Sequence, residues 1–77
     1  MNVQELEQEL RRQGIRQDSY CLSGGLPNEA LTLSDDGQNW SVYYSERGKR
    51  SGLRLFKTED EACRFFLTQI ISESTNR

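Results

Sequence analysis

The chain has 77 residues with a net charge of −2, no histidine, and no run near the roughly 20 apolar residues that a membrane helix needs. This length predicts one small domain, residues 1–77. The missing histidine excludes Ser-His-Asp and Cys-His nucleophile arrangements and most zinc sites, so we expect a protein that is not an enzyme.

The first predicted element is a short amphipathic helix. Asn2 followed by Glu5 resembles a capping box, and Gly14 is a suitable stop. Apolar residues recur between them at helical spacing. The pattern predicts a helix over residues 3–13.

Four extended segments follow between residues 18 and 57. They are separated by Gly24-Gly25, by the acidic turn Asp35-Asp36-Gly37, and by the segment "ERGKRSG", with the last strand starting at Leu53. The connections are too short for crossover helices. The spacing therefore predicts an antiparallel meander of four strands.

The third of these strands contains the strongest pattern in the chain. In "WSVYYS" the alternation directs Trp40, Val42 and Tyr44 toward the core. Tyr43 lies on the opposite, outward-facing side of the predicted strand.

A second helix is predicted over residues 59–72, with residues 73–77 as a frayed tail. Thr58 and Glu61 form its capping box. The predicted order is α-β-β-β-β-α: an α+β domain with both helices on one face of a single sheet. Phe65 lies outside the apolar arc of this helix. Two interpretations stay open: it covers the sheet edge or the first helix, or it is an exposed anchor for a partner.

No cluster in the sequence indicates chemistry. The acidic residues at 35–36 and 59–61 have structural explanations, in a turn and in a helix first turn, and we expect neither a metal site nor a cofactor. Gly24-Gly25 lacks the phosphate-loop pattern. Cys21 and Cys63 have no metal spacing, which predicts reduced thiols in a cytoplasmic protein.

A basic cluster lies beside the aromatic strand. Arg47, Lys49, Arg50 and Arg54 fall within eight residues of one another, next to Tyr43. Aromatic side chains beside basic loops are typical of single-strand nucleic-acid binders. The acidic balance of the whole chain argues against that function, and a solvated hairpin tip explains the cluster equally simply.

The segments "YCLSGG", "NWSVYYSERG" and "LFKTEDEACRFFL" resemble small bacterial immunity proteins of polymorphic toxin systems. The resemblance covers residues 18–71. It implies a cytoplasmic protein that is encoded beside a toxin and neutralises it by direct binding, without catalysis.

The sequence therefore predicts a protein-binding module, with an immunity protein as the leading hypothesis. The candidate contact residues are Tyr43, Glu46, Arg47, Lys49, Arg50 and Phe65. The alternative is a single-stranded nucleic-acid-binding domain that uses the Tyr43 face and the basic hairpin. A homodimer through a sheet edge or the Phe65 face is compatible with either function.

Overall fold

The structure is a computed structural model that describes residues 1–75, with side chains through Ser72. It is an α+β fold with an N-terminal and a C-terminal helix and one four-stranded sheet, so the predicted class is confirmed. The elements are α1 Val3–Arg12, a short 3-10 turn Gln17–Ser19, β1 Tyr20–Cys21, β2 Ala30–Asp35, β3 Trp40–Glu46, β4 Lys49–Phe56 and α2 Glu59–Thr75.

Both helices begin at the capping residues that the sequence indicates. The Asn2 side chain accepts from the Glu5 N–H at 2.8 Å, and Glu5 accepts from the Asn2 N–H at 3.1 Å. Thr58 Oγ1 accepts from the Glu61 N–H at 3.2 Å at the start of α2. The predicted tail is wrong in part, because the helix continues to Thr75. Residues 76–77 lie outside the described residues.

The sheet has the order β1-β2-β3-β4 and is mixed. The predicted antiparallel meander holds for β2, β3 and β4 and is wrong for β1, which runs parallel to β2. Because β1 has only two residues, the segment 22–29 suffices to return the chain to the start of β2. Gly24, at φ +75°, supports this return by donating its N–H to the Leu33 carbonyl at 3.0 Å.

The turn between β3 and β4 is shorter than predicted. Only Arg47 and Gly48 form it, with φ of 52° and 78°. Two successive positive φ angles match the two-residue type I′ hairpin. Lys49 and Arg50 are therefore strand residues, cross-strand from Glu46 and Ser45, and the prediction that β4 starts at Leu53 is wrong.

One hydrophobic core lies between the helices and the sheet. α2 packs against β2, β3 and β4, and α1 packs against α2. Trp40 and Tyr44 pack against this core beside Val42, as the alternation predicts. The fully buried members are Leu6, Leu10, Leu31, Leu33, Val42, Ala62, Cys63, Phe66 and Ile70.

The other face of the sheet is also covered, which the sequence did not indicate. The segment 22–29 folds over it, and the Tyr43 hydroxyl donates to the Gly25 carbonyl at 2.6 Å. The Tyr43 side chain is 1% exposed, so the prediction that it faces outward is wrong. Thr32 and Ser45 are fully buried on the same face.

A candidate protein-binding surface along the edge strand

The two edges of the sheet differ in length and exposure. β1 offers two residues at one edge, whereas β4 offers eight at the other. From Lys49 to Leu55 every β4 residue is exposed, and Phe56 is half-buried. An edge strand carries backbone N–H and C=O groups that no neighbour in the sheet uses. β4 is therefore the long accessible edge of this fold.

Positive charge concentrates on this edge. Five of the ten Lys and Arg residues lie between 47 and 57, a range with no Asp or Glu, so the rest of the chain has twelve acidic residues against five basic ones. We call these five residues the basic edge: Arg47, Lys49, Arg50, Arg54 and Lys57. The net charge of −2 thus conceals two regions of opposite sign.

No acidic side chain among residues 1–72 neutralises the basic edge. None of its five cations forms an ion pair with any residue from 1 to 72. Arginines elsewhere do pair: Arg11 with Glu7 at 2.8 Å, and Arg64 with Asp60 at 2.9 Å. The cations along β4 consequently remain available to a ligand or a partner.

Two aromatic rings hold arginines of the basic edge in place. The Arg50 guanidinium lies 4.9 Å from the centroid of the Tyr43 ring, and that of Arg54 lies 5.8 Å from the centroid of Phe65. Cation–π contacts of this kind restrict a guanidinium without consuming its hydrogen-bond donors. Tyr43 and Phe65 thus support the charged side chains.

Phe65 covers the sheet edge, which is the first of its two predicted roles. Its ring centroid lies 5.2 Å from that of Phe56, the last residue of β4, with the planes tilted by 40°. The side chain is half-buried. α2 thereby places an aromatic residue directly beside the edge strand.

A bulge in β4 opens a small cavity next to these groups. On either side of the bulge, Val42 is paired with Arg54 and Tyr44 with Ser51. Between these pairs the single residue Tyr43 faces both Gly52 and Leu53. Gly52 has a φ of +62°. The cavity lies between the bulge and α2 and has a volume of about 270 Å³. Its lining is Leu31, Val42, Tyr43, Tyr44, Ser51, Gly52, Arg54, Phe65 and Gln69.

Exposed leucines accompany the charges. Leu53 and Leu55 are 51% and 61% exposed. Leu55 is cross-strand from Ser41, on the sheet face opposite the helices, and Leu53 shares this face because it lies two residues earlier in the strand. Leu26, in the segment that covers this face, is 51% exposed. Apolar and basic groups therefore occur together at this edge.

The structure separates the candidate residues into two groups. Glu46, Arg47, Lys49 and Arg50 are exposed at the β3–β4 hairpin, and Tyr43 and Phe65 lie beneath arginines. The predicted contact set omitted Arg54, Leu53 and Leu55. The signal for them was the alternation of apolar and basic residues in "LRLF" directly after Gly52.

The cysteines and the acidic side chains, which could act as nucleophiles or metal ligands, have ordinary environments. Cys63 is fully buried, and desolvation raises the pKa of its thiol to about 11, so it is a poor nucleophile. Cys21 is half-buried and lies 3.4 Å from the Gly24 carbonyl; the two cysteines are not joined. Within residues 1–72, His, Cys, Asp and Glu side chains nowhere gather in a group of three or more that could hold a metal ion.

Neither helix, over the part of the chain that the structure describes, is long and apolar enough to cross a membrane. Comparison with protein-family models, with curated proteins and with solved structures gives no match to this chain.

Proposed function

We propose that this protein is a non-catalytic protein-binding module that contacts its partner through the basic edge and the exposed face of β4. The observation that carries the proposal is the concentration of five cations at one exposed edge, three in β4 and one on each side of it, none paired with a residue from 1 to 72. Charge of one sign on an accessible strand speeds association with a partner of opposite charge and selects against others.

The biological role that we propose for this binding is neutralisation of a toxin in the cytoplasm. The resemblance of residues 18–71 to immunity proteins of polymorphic toxin systems is the basis for it. An inhibitor of this kind needs a complementary surface and rapid association, and it needs no catalytic groups. A basic surface on an otherwise acidic molecule favours rapid association with an acidic partner.

The alternative, a single-stranded nucleic-acid binder, loses one of the two groups on which it depended. Base stacking needs an exposed aromatic face, and the Tyr43 side chain is 1% exposed, with the Arg50 guanidinium over its ring. The basic edge alone would still attract phosphates. We therefore keep nucleic-acid binding as an outcome of the tests and favour a protein partner.

The test is coexpression of the protein with the polypeptides encoded by its neighbouring open reading frames. We expect one of them to arrest growth when expressed alone, to be harmless with this protein, and to copurify with it. A variant with Arg50 and Arg54 both replaced by glutamine should weaken copurification. Replacing Arg11 and Arg12 on α1 by glutamine removes the same charge far from β4 and serves as the matched control.

Two outcomes would contradict the proposal. One is that no neighbouring polypeptide copurifies or is neutralised. The other is that the α1 variant and the β4 variant weaken copurification equally, which would mean that total charge matters and the edge does not.

A further inference from the structure

The backbone of β4 is itself a binding element. The strand order leaves β4 with a partner strand on one side only, and its eight residues are unshielded apart from Phe56. An extended peptide can use such an edge by adding a further strand, with main-chain hydrogen bonds giving affinity and side chains giving specificity.

The charges on β4 select the occupant of this edge. Arg50 lies on the sheet face of Ser45, and Arg54 lies on the helix-side face with Val42, so both faces of the edge carry a cation. A second copy of β4 would bring the same cations to the shared edge, and like charges that come to lie across a strand pair are destabilising. A strand with Glu or Asp at the facing positions would be attracted instead.

We propose, on the basis of the function proposed above, that β4 receives an acidic extended segment of the partner as an added strand, and that the cavity beside Arg54 takes one of its carboxylate side chains. The cavity volume of about 270 Å³ is just below the range of about 300–1,000 Å³ for small-molecule sites. It suits a side chain better than a free ligand. Arg54, steadied on Phe65, supplies the guanidinium.

Protection against aggregation does not account for this edge by itself. Lys and Arg on an edge strand, and a bulge within it, are common ways to prevent unwanted strand pairing. Leu53 and Leu55, however, are more than half exposed on the same strand. Exposed leucines on an edge strand increase the risk of aggregation, which the charges and the bulge would reduce. An added strand would instead cover these leucines.

The experiment uses three capped hexapeptides and the ¹⁵N-labelled protein. The first alternates Thr and Glu, the second replaces every Glu by Gln, and the third is the first with every backbone amide N-methylated. We expect the Glu peptide to shift the amide signals of β4 and to bind about tenfold tighter than the Gln peptide, because Lys49 and Arg54, which share the helix-side face of β4, can each pair with a Glu. N-methylation should abolish binding, since it removes the donors that a strand needs.

Variants test the role of Arg54. Arg54→Gln is expected to reduce the ratio of the two affinities, Glu peptide over Gln peptide, by about threefold. Arg11→Gln, an exposed change on α1, should leave this ratio unchanged. The ratio discriminates charge recognition from a general loss of stability, which would lower both affinities together.

Several results would overturn the inference. Equal binding of the N-methylated peptide would show charge attraction without strand addition. A single-stranded oligonucleotide that shifts the β4 amides at lower concentration than the Glu peptide would assign the edge to nucleic acid. Sedimentation as a dimer, disrupted by substitutions in β4, would assign it to a second copy.

The inference and the proposed function can fail separately. If a neutralised toxin copurifies and the Arg50/Arg54 variant weakens copurification, but no peptide shifts the β4 amide signals, the function stands and strand addition fails. If the Glu peptide adds to β4 but no neighbouring polypeptide copurifies or is neutralised, strand addition stands and the function fails.

Discussion

The Tyr43 hydroxyl donates a hydrogen bond of 2.6 Å to the carbonyl of Gly25, across 18 positions of the chain. This contact joins the centre of the sheet to the segment that covers its second face. It also leaves the ring beneath the Arg50 guanidinium. A residue that the sequence suggested as a contact for a partner is thus a structural link between a strand and a loop.

Removal of this hydroxyl should destabilise the protein. We expect Tyr43→Phe to lower the free energy of unfolding by about 0.5–1.5 kcal/mol, because the part-buried hydrogen bond to the Gly25 carbonyl is lost. Urea denaturation measures the change. Tyr20→Phe is the control, since Tyr20 is half-buried and its hydroxyl forms no hydrogen bond with residues 1–72. An equal effect of both substitutions would contradict the assigned role of the bond.

Removal of the Ser45 hydroxyl, in contrast to that of Tyr43, is not expected to destabilise the protein. Its hydroxyl is buried and has no hydrogen-bond partner within residues 1–72. Ser45→Ala removes a desolvated polar group and should leave stability unchanged or raise it by up to about 1 kcal/mol. Thr32→Val on the same face is the comparison, because Thr32 Oγ1 donates to the Ala30 carbonyl at 3.3 Å. Thermal melting of both variants checks the sign, and a clear loss for Ser45→Ala would refute the expectation.

The β3–β4 turn offers a test of backbone strain. Arg47 has a φ of 52°, a left-handed conformation that asparagine tolerates better than arginine. We expect Arg47→Asn to stabilise the fold by up to about 1 kcal/mol and Arg47→Val to destabilise it by at least as much. Both variants remove the same charge, so the difference in their denaturation midpoints isolates the turn. Similar midpoints would indicate that φ at this position carries little energy.

Acid should weaken the ion pair between the Met1 ammonium, just before α1, and the Asp60 carboxylate in the first turn of α2. The pKa of the Asp60 carboxyl is lowered from 3.8. The larger cause is the hydrogen bond from the Met1 ammonium, and the smaller is the hydrogen bond from Arg64. This contribution to stability is complete above the unfolded value of 3.8 and is lost as the pH falls through the lower folded value. Urea midpoints across this acidic range should therefore fall more steeply for the natural chain than for Asp60→Asn.

Acetylation of the amino terminus supplies the control for this titration. It removes the ammonium that contributes most to the lowered pKa of Asp60, so part of the acid sensitivity should disappear. The same contact raises the pKa of the ammonium above 8.0, and its stabilisation is lost as the pH rises through the raised value. Identical acid and alkaline slopes before and after acetylation would show that this ion pair does not affect stability.

The parts of the fold that were predictable from the sequence depend on neighbouring residues. The capping boxes at Asn2 and Thr58 act over three positions, and the inward side of β3 follows from simple alternation. These local signals located both helices and assigned Trp40 and Tyr44 to the core side. They required no knowledge of distant contacts.

The errors arose where distant segments meet. Alternation states which residues share a face, but it does not state whether a loop covers that face, so the burial of Tyr43 beneath residues 24–25 was not predictable. The direction of β1 likewise depends on how the segment 22–29 returns across the sheet. The turn was misplaced because Arg47-Gly48 differs from the usual Asn-Gly signal of a two-residue hairpin.

The uneven distribution of charge has a consequence for the approach of a partner. A molecule with five cations on one edge and a surplus of acidic residues elsewhere has its charges separated and therefore has an electric dipole moment. In the field of a negatively charged protein it experiences a torque as well as an attraction, so it rotates before contact and arrives with β4 foremost. Because salt screens this field over about 10 Å, added salt should reduce how well the molecule is oriented on arrival.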